Sequence, residues 1–530
     1  MLLLFSLAAL LEAFRLSSLS ALTNCDIWWH LNSGLWILQN HAFPREGLFS
    51  QVSAQAWSAS SWGYEVLLAL AYKVLGLRAI PLFLMCFRAA LAVLTFLLAR
   101  GMRGRFWPAV VLSLVAQYVL GPMPPGPAYF SILFFAIELL LLLEARRRGS
   151  IRLLWWFVPL FLAWANFHPQ FVYGIVVLIL FVGALAIEKS SVSDVQKLGV
   201  ASAGKIIGVS IAATAFTPYF WGPYAVFFRT TFSSANPYLP EFQALGFRQA
   251  QDYLLLLLVM AAFLTLGLRQ SRDVFQIALL AGCLGLAFYS RRDIWLVTMA
   301  ALAVIGDVLA NAPSEVSVAN EQAELETEAL VEVAETVPRG LSSEPQRLKP
   351  QSSGRAYGTS GTRALPETAD RALPKTKHHS SFFAIAITAG FAVGIVLVVF
   401  ALRVPRDREA LLAKAGLNYP VAACDYIRGH RLPQPLFNAY EWGGFLTWYM
   451  PEYPVAIDSR TDLYGGDAIA GYSKMMNAEV RYTEYPALAN ARTILLPKKA
   501  NMAIALASVP RFQVAYSDDV AVVLARSDVP

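Results

Sequence analysis

The chain has 530 residues, of which 57% are hydrophobic and 15% are charged, and its mean hydropathy is +0.50. Soluble domains carry roughly 25% charged residues, so this composition excludes an ordinary soluble enzyme and indicates an integral membrane protein. The formal net charge of +7 lies in short basic clusters between apolar runs, so we expect membrane lipids and no nucleic acid as partners.

Apolar runs recur along the chain near the length that crosses a bilayer, which is about 20 residues. Hydropathy places about eleven of them, at 2–22, 78–99, 107–121, 128–144, 152–167, 170–187, 203–217, 252–268, 274–290, 294–311 and 381–402. The first run could instead be a signal peptide, although it lacks a basic n-region. The positive-inside bias of the basic clusters predicts a mainly α-helical, multi-pass bundle with its N-terminus inside and its C-terminus outside.

Residues 312–380 interrupt this pattern, because Glu, Ser, Pro and Ala dominate and cannot build a core. We predict a disordered cytoplasmic linker there, between a transmembrane domain at 1–311 and a last transmembrane helix at 381–402. Residues 403–530 contain strand-like runs, "PVAID", "TILLP" and "VAVVLAR", and helix-like runs, "GDAIAGYSKMMN" and "KANMAIALASV". They predict a small extracytoplasmic α/β domain.

The segment 23–77 is predicted to be a long first outer loop, and it opens with "TNCDIWWHLNSG". Tryptophan prefers the bilayer interface, so "DIWWHLNSGLWILQN" and "SSWGYEVLLALAYKVLG" predict two interfacial helices, the second with a serine cap. Asp26 would then face a cavity between these helices and the bundle. The residue types fit equally well with a structural alternative, in which Asp26 caps its helix and His30 bonds locally.

Other polar side chains are predicted to reach the same outer face. Asn166 and His168, in "WANFHPQFVYG", end the fifth run, where polar residues either line a site or are structural. Glu241 lies in an aromatic loop much longer than an ordinary connector of about two to eight residues. Arg291 and Arg292, in "YSRRDIW", either reach lipid headgroups or form a phosphate site, since Arg matches phosphate in a fixed fork geometry.

Taken together, these residues resemble the polytopic glycosyltransferases of the C-type (GT-C) fold, which use sugars linked to polyprenyl phosphate or pyrophosphate. An aspartate just past the first span is the most characteristic site residue of that family. "DIWWHL" looks like the corresponding stretch of oligosaccharyltransferase catalytic subunits. "NAYEWGGFLTWYMPEYPVAIDSRTDLYGG" is similar in layout to their "W-W-D-Y-G…R-T" region, with Glu441, Trp442 and Arg460 at matching positions. The chain also resembles a set of bacterial membrane proteins with a "D-x-W-W-H-L" motif.

The resemblance implies inverting glycosyl transfer at the outer face of a bacterial inner membrane, from a polyprenyl-phosphate-linked donor to a glycan, lipid or protein acceptor. Asp26 would be the general base. The residues that would bind substrate are His30, Glu65, Asn166, His168, Glu241, Arg291, Arg292, Glu441, Trp442 and Arg460. A non-catalytic membrane scaffold and a transporter of a lipid-linked solute are the alternative functions.

The loop after the third span, "GPMPPGPAYF", departs from the oligosaccharyltransferase pattern because it carries no carboxylate. The second acidic motif of those subunits, which supplies metal ligands, is therefore missing. We expect a metal-free transfer that requires no cofactor, with a divalent metal as the less favoured alternative.

Overall fold

A computed structural model provides the structure of the protein, and it describes residues 19–101, 106–187, 199–270, 273–310, 390 and 393–527. Most of the first apolar run and the linker predicted at 312–380 lie outside these residues, so both stay predictions. The described chain is mainly helical and contains one small sheet.

Apolar helices dominate the described part of the chain before residue 311. They are α1 (Asp26–Asn40), α2 (Trp62–Leu75), α3 (Ala79–Arg100), α4 (Phe106–Val119), α5 (Ala128–Arg148), α6 (Ile151–Leu154), α7 (Phe157–Phe167), α8 (Phe171–Ile187), α9 (Val200–Ala213), α10 (Gly222–Thr231), α11 (Ala250–Leu268), α12 (Val274–Tyr289) and α13 (Ile294–Ala310). Short 3₁₀ turns occur at Leu19–Thr23, Gly76–Arg78, Asn236–Tyr238, Pro240–Phe242 and Arg291–Asp293.

Four helical segments in the described residues are long and apolar enough to cross a bilayer by length and composition. They are Trp62–Arg100, Ala128–Arg148, Ala250–Leu268 and Arg291–Ala310. Shorter apolar helices account for the other described runs, including Val393–Arg403 (α14) in the last one. The predicted number of about eleven spans therefore stays a prediction.

Helix α2 differs from the predicted interfacial helix, because it continues through a 3₁₀ turn into α3 and forms one segment of 39 residues. Ser61 occupies its N-cap position, but the Ser61 hydroxyl makes no capping hydrogen bond, so the predicted serine cap is wrong. The Ser61 backbone has φ −107° and ψ 30°, outside the extended conformation from which a capping hydroxyl reaches the first turn.

Helices α1 and α2 pack at unusually short range, and Gly34 makes this approach feasible. A Cβ atom on Gly34 would overlap the carbonyl oxygen of Glu65. Because glycine has no Cβ, the two backbones touch, and the side chain of Glu65 can reach across to α1. This contact positions one part of the site described below.

The C-terminal region combines short helices with a four-stranded sheet. The helices are α15 (Arg408–Ala415), α16 (Val421–Gly429), α17 (Tyr440–Tyr449), α18 (Thr461–Tyr464), α19 (Gly466–Met476), α20 (Pro486–Ala489) and α21 (Asn501–Ala507). The strands are β1 (Leu436–Asn438), β2 (Thr493–Pro497), β3 (Phe512–Ser517) and β4 (Ala521–Arg526), in the order β1-β2-β4-β3. Strands β1 and β2 are parallel, and the other two pairs are antiparallel.

Two of the three predicted strands belong to this sheet, and the third does not. "TILLP" and "VAVVLAR" correspond to β2 and β4, which pair in register, with Leu495 opposite Val523. "PVAID" lies outside the sheet. The side chain of Asn438 accepts from Ala456 N at 2.8 Å and donates to Ile457 O at 2.8 Å, and the backbone of Val455 bonds to Phe49 and Gln51 of the first loop. The two predicted helical runs form α19 and α21.

The C-terminal region packs directly on the start of α1 through Gly444. A Cβ atom on Gly444 would overlap the carbonyl oxygen of Cys25. Asn32 strengthens the same contact, because its amide donates to the carbonyl of Thr447 at 2.7 Å. Gly444, the last residue of the "EWGG" run, therefore permits the packing of α17 against the start of α1.

Replacing Gly444 with valine is expected to lower the free energy of unfolding by about 2 kcal/mol, because the added side chain must push the two segments apart. Thermal unfolding of the purified protein in detergent measures this loss. Gly471→Val is the matched control, since a Cβ atom there meets a Tyr485 ring carbon at an ordinary 3.6 Å. Equal stability of the Gly444 variant and the wild type would contradict the close contact.

Candidate active site

A cavity of about 960 Å³ lies where α1, the loop after α4, the loop before α11 and the C-terminal region meet. It brings together eight residues that the sequence analysis selected: Asp26, His30, His168, Glu241, Arg291, Arg292, Glu441 and Arg460. Prolines between residues 122 and 127, together with Leu255 and Ile294, give part of its wall an apolar surface.

Asp26 is the first residue of α1, but it does not cap the helix. The side-chain oxygen of Asn24 accepts from the backbone N–H groups of Asp26 at 3.0 Å and Ile27 at 3.1 Å. Because Asn24 supplies the cap, the carboxyl of Asp26 is free to face the cavity. The structural alternative for Asp26 is therefore wrong.

Residues next to Asp26 in the sequence, and one residue of the C-terminal region, surround the carboxyl group of Asp26. The indole of Trp29 donates to Asp26 Oδ1 at 3.4 Å and to the Ser459 hydroxyl at 3.1 Å. The thiol of Cys25 lies 3.7 Å from the same carboxyl oxygen. Burial raises the pKa of Asp26, and the hydrogen bonds from Ser459, Trp29 and Cys25 and the charge of Arg292 offset part of that rise.

The two neighbouring arginines differ in their partners. Arg291 is engaged, because its guanidinium donates to Gln249 at 2.6 Å and lies 3.9 Å from Asp252. Arg292 has no carboxylate within 4.0 Å among the described residues, and it stacks over the ring of Phe242 at 4.9 Å. Arg292 is therefore the cavity cation that is available to an anionic ligand.

A buried aspartate fixes the turn that presents Arg292. Asp293 accepts from Gln170 at 3.1 Å and from the hydroxyl of Tyr173 at 2.9 Å, which ties the 3₁₀ turn to α8. The turn runs directly into α13, whose N-terminus adds a partial positive charge near the cavity. Arg292 and this helix end together suit a phosphate group.

Glu241 supplies a second carboxyl that faces the cavity, from the 3₁₀ turn before α11. Its side chain is exposed to the cavity, where the surrounding protein partly desolvates it and raises its pKa; the charge of Arg292 lowers the pKa and the nearby charge of Asp26 raises it further. Asp26, Glu241 and Arg292 all line the same cavity, so the charge of each affects the others.

The two predicted histidines are each fixed by one hydrogen bond. His30 Nδ1 lies 3.0 Å from Glu65 Oε1, and Glu65 itself lies behind His30 rather than on the cavity wall. His168 Nδ1 lies 2.7 Å from the hydroxyl of Ser131. The expectation that His30 bonds only to local residues is wrong, because its partner comes from another helix.

Besides Glu65, two predicted residues lie away from the cavity, Asn166 and Trp442. Asn166 accepts from the indole of Trp62 at 2.8 Å and donates to the carbonyl of Phe216 at 3.0 Å. Trp442 is buried, and its indole donates to the carbonyl of Asn418 at 2.9 Å. These contacts give both side chains packing roles, and their predicted contact with substrate would require a change in conformation.

Arg460 lines the cavity but is already paired. Its guanidinium forms a buried ion pair with Asp458, with Nη2 at 2.6 Å from Oδ2, and donates to the carbonyl of Leu48 at 2.9 Å. It also stacks over the ring of Trp57 at 5.0 Å. Arg460 therefore joins the C-terminal region to the first loop.

Ser459 and Asp462 are two of the several cavity residues of the C-terminal region that sequence reasoning missed. Both flank Arg460 in the run "SRTDLYGG", which was selected only for its Arg–Thr pair. The sequence feature that could have indicated this part of the site is an acidic residue, Asp462, two residues after Arg460. Burial raises the pKa of Asp462 to about 6, while the charge of Arg460 lowers it.

Asp462→Asn is expected to stabilise the protein at pH 7.5 by an amount on the order of 2 kcal/mol, because the native state then no longer holds a partly desolvated, half-buried carboxylate. The folded-state pKa of about 6 lies above the usual value of 3.8, so wild-type stability rises as the pH falls through 6. Thermal unfolding between pH 7.5 and 4.5 should show the gain of the variant shrinking. The exposed Asp519→Asn is the control, and a destabilised Asp462 variant at pH 7.5 would contradict the assignment.

Within the described ranges, no group of three or more His, Cys, Asp or Glu side chains is arranged to hold a metal ion. Arg88 stabilises the start of the loop that lacks the second acidic motif. Its guanidinium donates to the carbonyls of Leu120 at 3.0 Å and Gly121 at 2.6 Å. The metal-free reaction stays a prediction.

Comparison with known proteins finds similar solved structures. No protein-family model matches the chain, and no curated protein matches its sequence. The chain is similar to the crystal structure of ArnT from Cupriavidus metallidurans bound to undecaprenyl phosphate, with 12% sequence identity over 99% of this chain and 97% of that one, and a TM-score of 0.40. Similarity at that level does not establish a shared fold.

Proposed function

We propose that this protein is a membrane glycosyltransferase of the GT-C type. It transfers a sugar from a polyprenyl-phosphate-linked donor to an acceptor at the extracytoplasmic face of the bacterial inner membrane. One observation carries the proposal: a single cavity beside apolar helices contains a carboxylate with a raised pKa, Asp26, and an arginine without a carboxylate partner among the described residues, Arg292. A base and an anion-binding cation are the two groups that this transfer requires.

Arg292 and the N-terminus of α13 would bind the phosphate of the donor and stabilise the negative charge that develops on it as it leaves. The apolar wall near Leu255, Ile294 and the proline loop would contact the first units of the polyprenyl chain. A lipid-linked donor would thus place its phosphate at the membrane boundary and its sugar in the cavity.

Asp26 would act as the general base. It accepts the proton of an acceptor hydroxyl while the oxygen of that hydroxyl forms a bond to the anomeric carbon. The bond from that carbon to the phosphate oxygen breaks, and the phosphate leaves with the electron pair. Attack from the face opposite the phosphate inverts the anomeric centre. Glu241 and Glu441, which both line the cavity, would bind sugar or acceptor hydroxyls.

The test is a glycan and glycolipid profile of membranes from cells with the wild-type protein and from cells without it. We expect one glycoconjugate to disappear in the null cells and its polyprenyl-linked precursor to accumulate. An unchanged profile, with no redundant enzyme present, would favour the scaffold or transporter alternatives.

A further inference from the structure

His30 and Asp26 lie on one face of α1, because four residues separate them. Both line the cavity. Gly34 continues the same face and lets α2 approach, which brings Glu65 Oε1 to 3.0 Å from His30 Nδ1. His30 is 4% exposed and Glu65 is 0% exposed, so the imidazole separates the buried carboxyl from the cavity.

The hydrogen bonds of the His30 ring are incomplete. Glu65 engages Nδ1, and the ring faces are packed by Trp29, at 3.5 Å between ring centroids, and by the edge-on ring of Tyr64 at 5.3 Å. Nε2 has no hydrogen-bond partner among the described residues. The ring is more than nine-tenths buried and lines the cavity, and one of its nitrogens has no protein partner among the described residues, so Nε2 can bind a polar group from the cavity.

The chemistry of the ring limits what that ligand is. Burial and the charge of Arg460 lower the pKa of His30, so its imidazole is neutral at neutral pH. A neutral imidazole offers either a donor or an acceptor at Nε2, depending on which way the proton lies in the bond to Glu65. A hydroxyl group can both donate and accept, so it fits either tautomer, whereas an ammonium or a phosphate fits only one.

We propose that His30 is a positioning residue whose Nε2 binds a second hydroxyl of the acceptor, next to the hydroxyl that Asp26 deprotonates. Glu65 holds the imidazole in place. The proposal rests on the proposed glycosyltransferase function and narrows it. The acceptor is a polyhydroxylated molecule, a glycan or a sugar headgroup, with two hydroxyls that reach α1 together.

The experiment uses full-length purified protein added to membranes of the null cells, which contain both substrates. The glycoconjugate missing from those cells is quantified by mass spectrometry as the membranes are diluted. His30→Phe keeps the ring and its packing but removes both nitrogens, and His30→Gln keeps a polar group near the Nε2 position. Glu65→Leu keeps His30 and removes its partner.

We expect His30→Phe to raise the half-saturating substrate concentration about tenfold and to lower turnover by a larger factor. His30→Gln should recover part of both losses, and Glu65→Leu should show a smaller loss of the same kind. Binding of polyprenyl phosphate should not change in any of these variants. A purely structural role would instead reduce thermal stability and the amount of folded protein without separating half-saturation from turnover.

Two outcomes separate the proposals. If His30→Phe and Glu65→Leu match the wild type while Asp26→Asn is inactive, the assignment of His30 is wrong and the proposed function survives. If Asp26→Asn is as active as the wild type, the proposed function itself is wrong.

If His30→Phe does not fold, the double variant His30→Phe/Glu65→Leu, which leaves no unpaired buried carboxyl, provides the same comparison.

Discussion

Asp26→Asn is expected to lower turnover about a thousandfold, the middle of the range for loss of a general base. Asparagine has nearly the size of aspartate and can accept from the indole of Trp29, so the variant should fold normally. Synthesis of the missing glycoconjugate in null-cell membranes measures the loss. Because burial raises the pKa of Asp26, the wild-type rate should fall with decreasing pH at values above the usual range for an aspartate.

The control for this prediction is Cys25→Ser, which changes the neighbouring cavity residue and leaves the carboxyl in place. It should retain turnover within a few-fold of the wild type. The remaining activity of Asp26→Asn should no longer fall with decreasing pH as the wild-type rate does. If it still falls in the same way, another group such as Glu241 causes that pH dependence, and the role of Asp26 as base is contradicted.

Arg292→Gln should weaken binding of a polyprenyl phosphate by about 10- to 100-fold, since a charge-assisted hydrogen bond contributes about 1.5–3 kcal/mol. The purified protein in detergent, titrated with the polyprenyl phosphate, provides the dissociation constant. Turnover should fall as well, because the same guanidinium stabilises the leaving phosphate.

The adjacent Arg291→Gln is the matched control, since it removes the same charge one residue away. Arg291 already binds Gln249 and lies near Asp252, so its loss should weaken binding only few-fold. A larger effect at Arg291 than at Arg292 would reverse the assignment of the phosphate ligand.

The position of Asp26 at a cavity could be predicted from the sequence, because an aspartate with flanking tryptophans follows directly on an apolar run. The four-residue spacing to His30 was equally visible. The partner of His30 was not, since Glu65 is brought near by a close contact of two helices that a single glycine permits. Helical periodicity predicts which residues share one face of a helix, but it does not predict which helices pack against that face.

The C-terminal contribution to the site was the least predictable part. Ser459 reaches Trp29 across 430 residues of sequence, and no local pattern encodes that contact. Trp442 was selected by resemblance, yet it is buried in packing contacts beside Gly444. Strand β1 has only three residues, too few to show the alternation by which strands are recognised.

The contacts of Ser459 and Gly444 with the start of α1 have a consequence for the timing of activity in the cell. A chain made from its N-terminus places Asp26 at the membrane long before residues 444 and 459 have been synthesised. Until those residues arrive and pack, Trp29 lacks the Ser459 hydroxyl and the cavity lacks one wall. We therefore expect the nascent protein to be inactive in the proposed transfer, so that prematurely terminated chains that reach the membrane would not consume the proposed donor lipid.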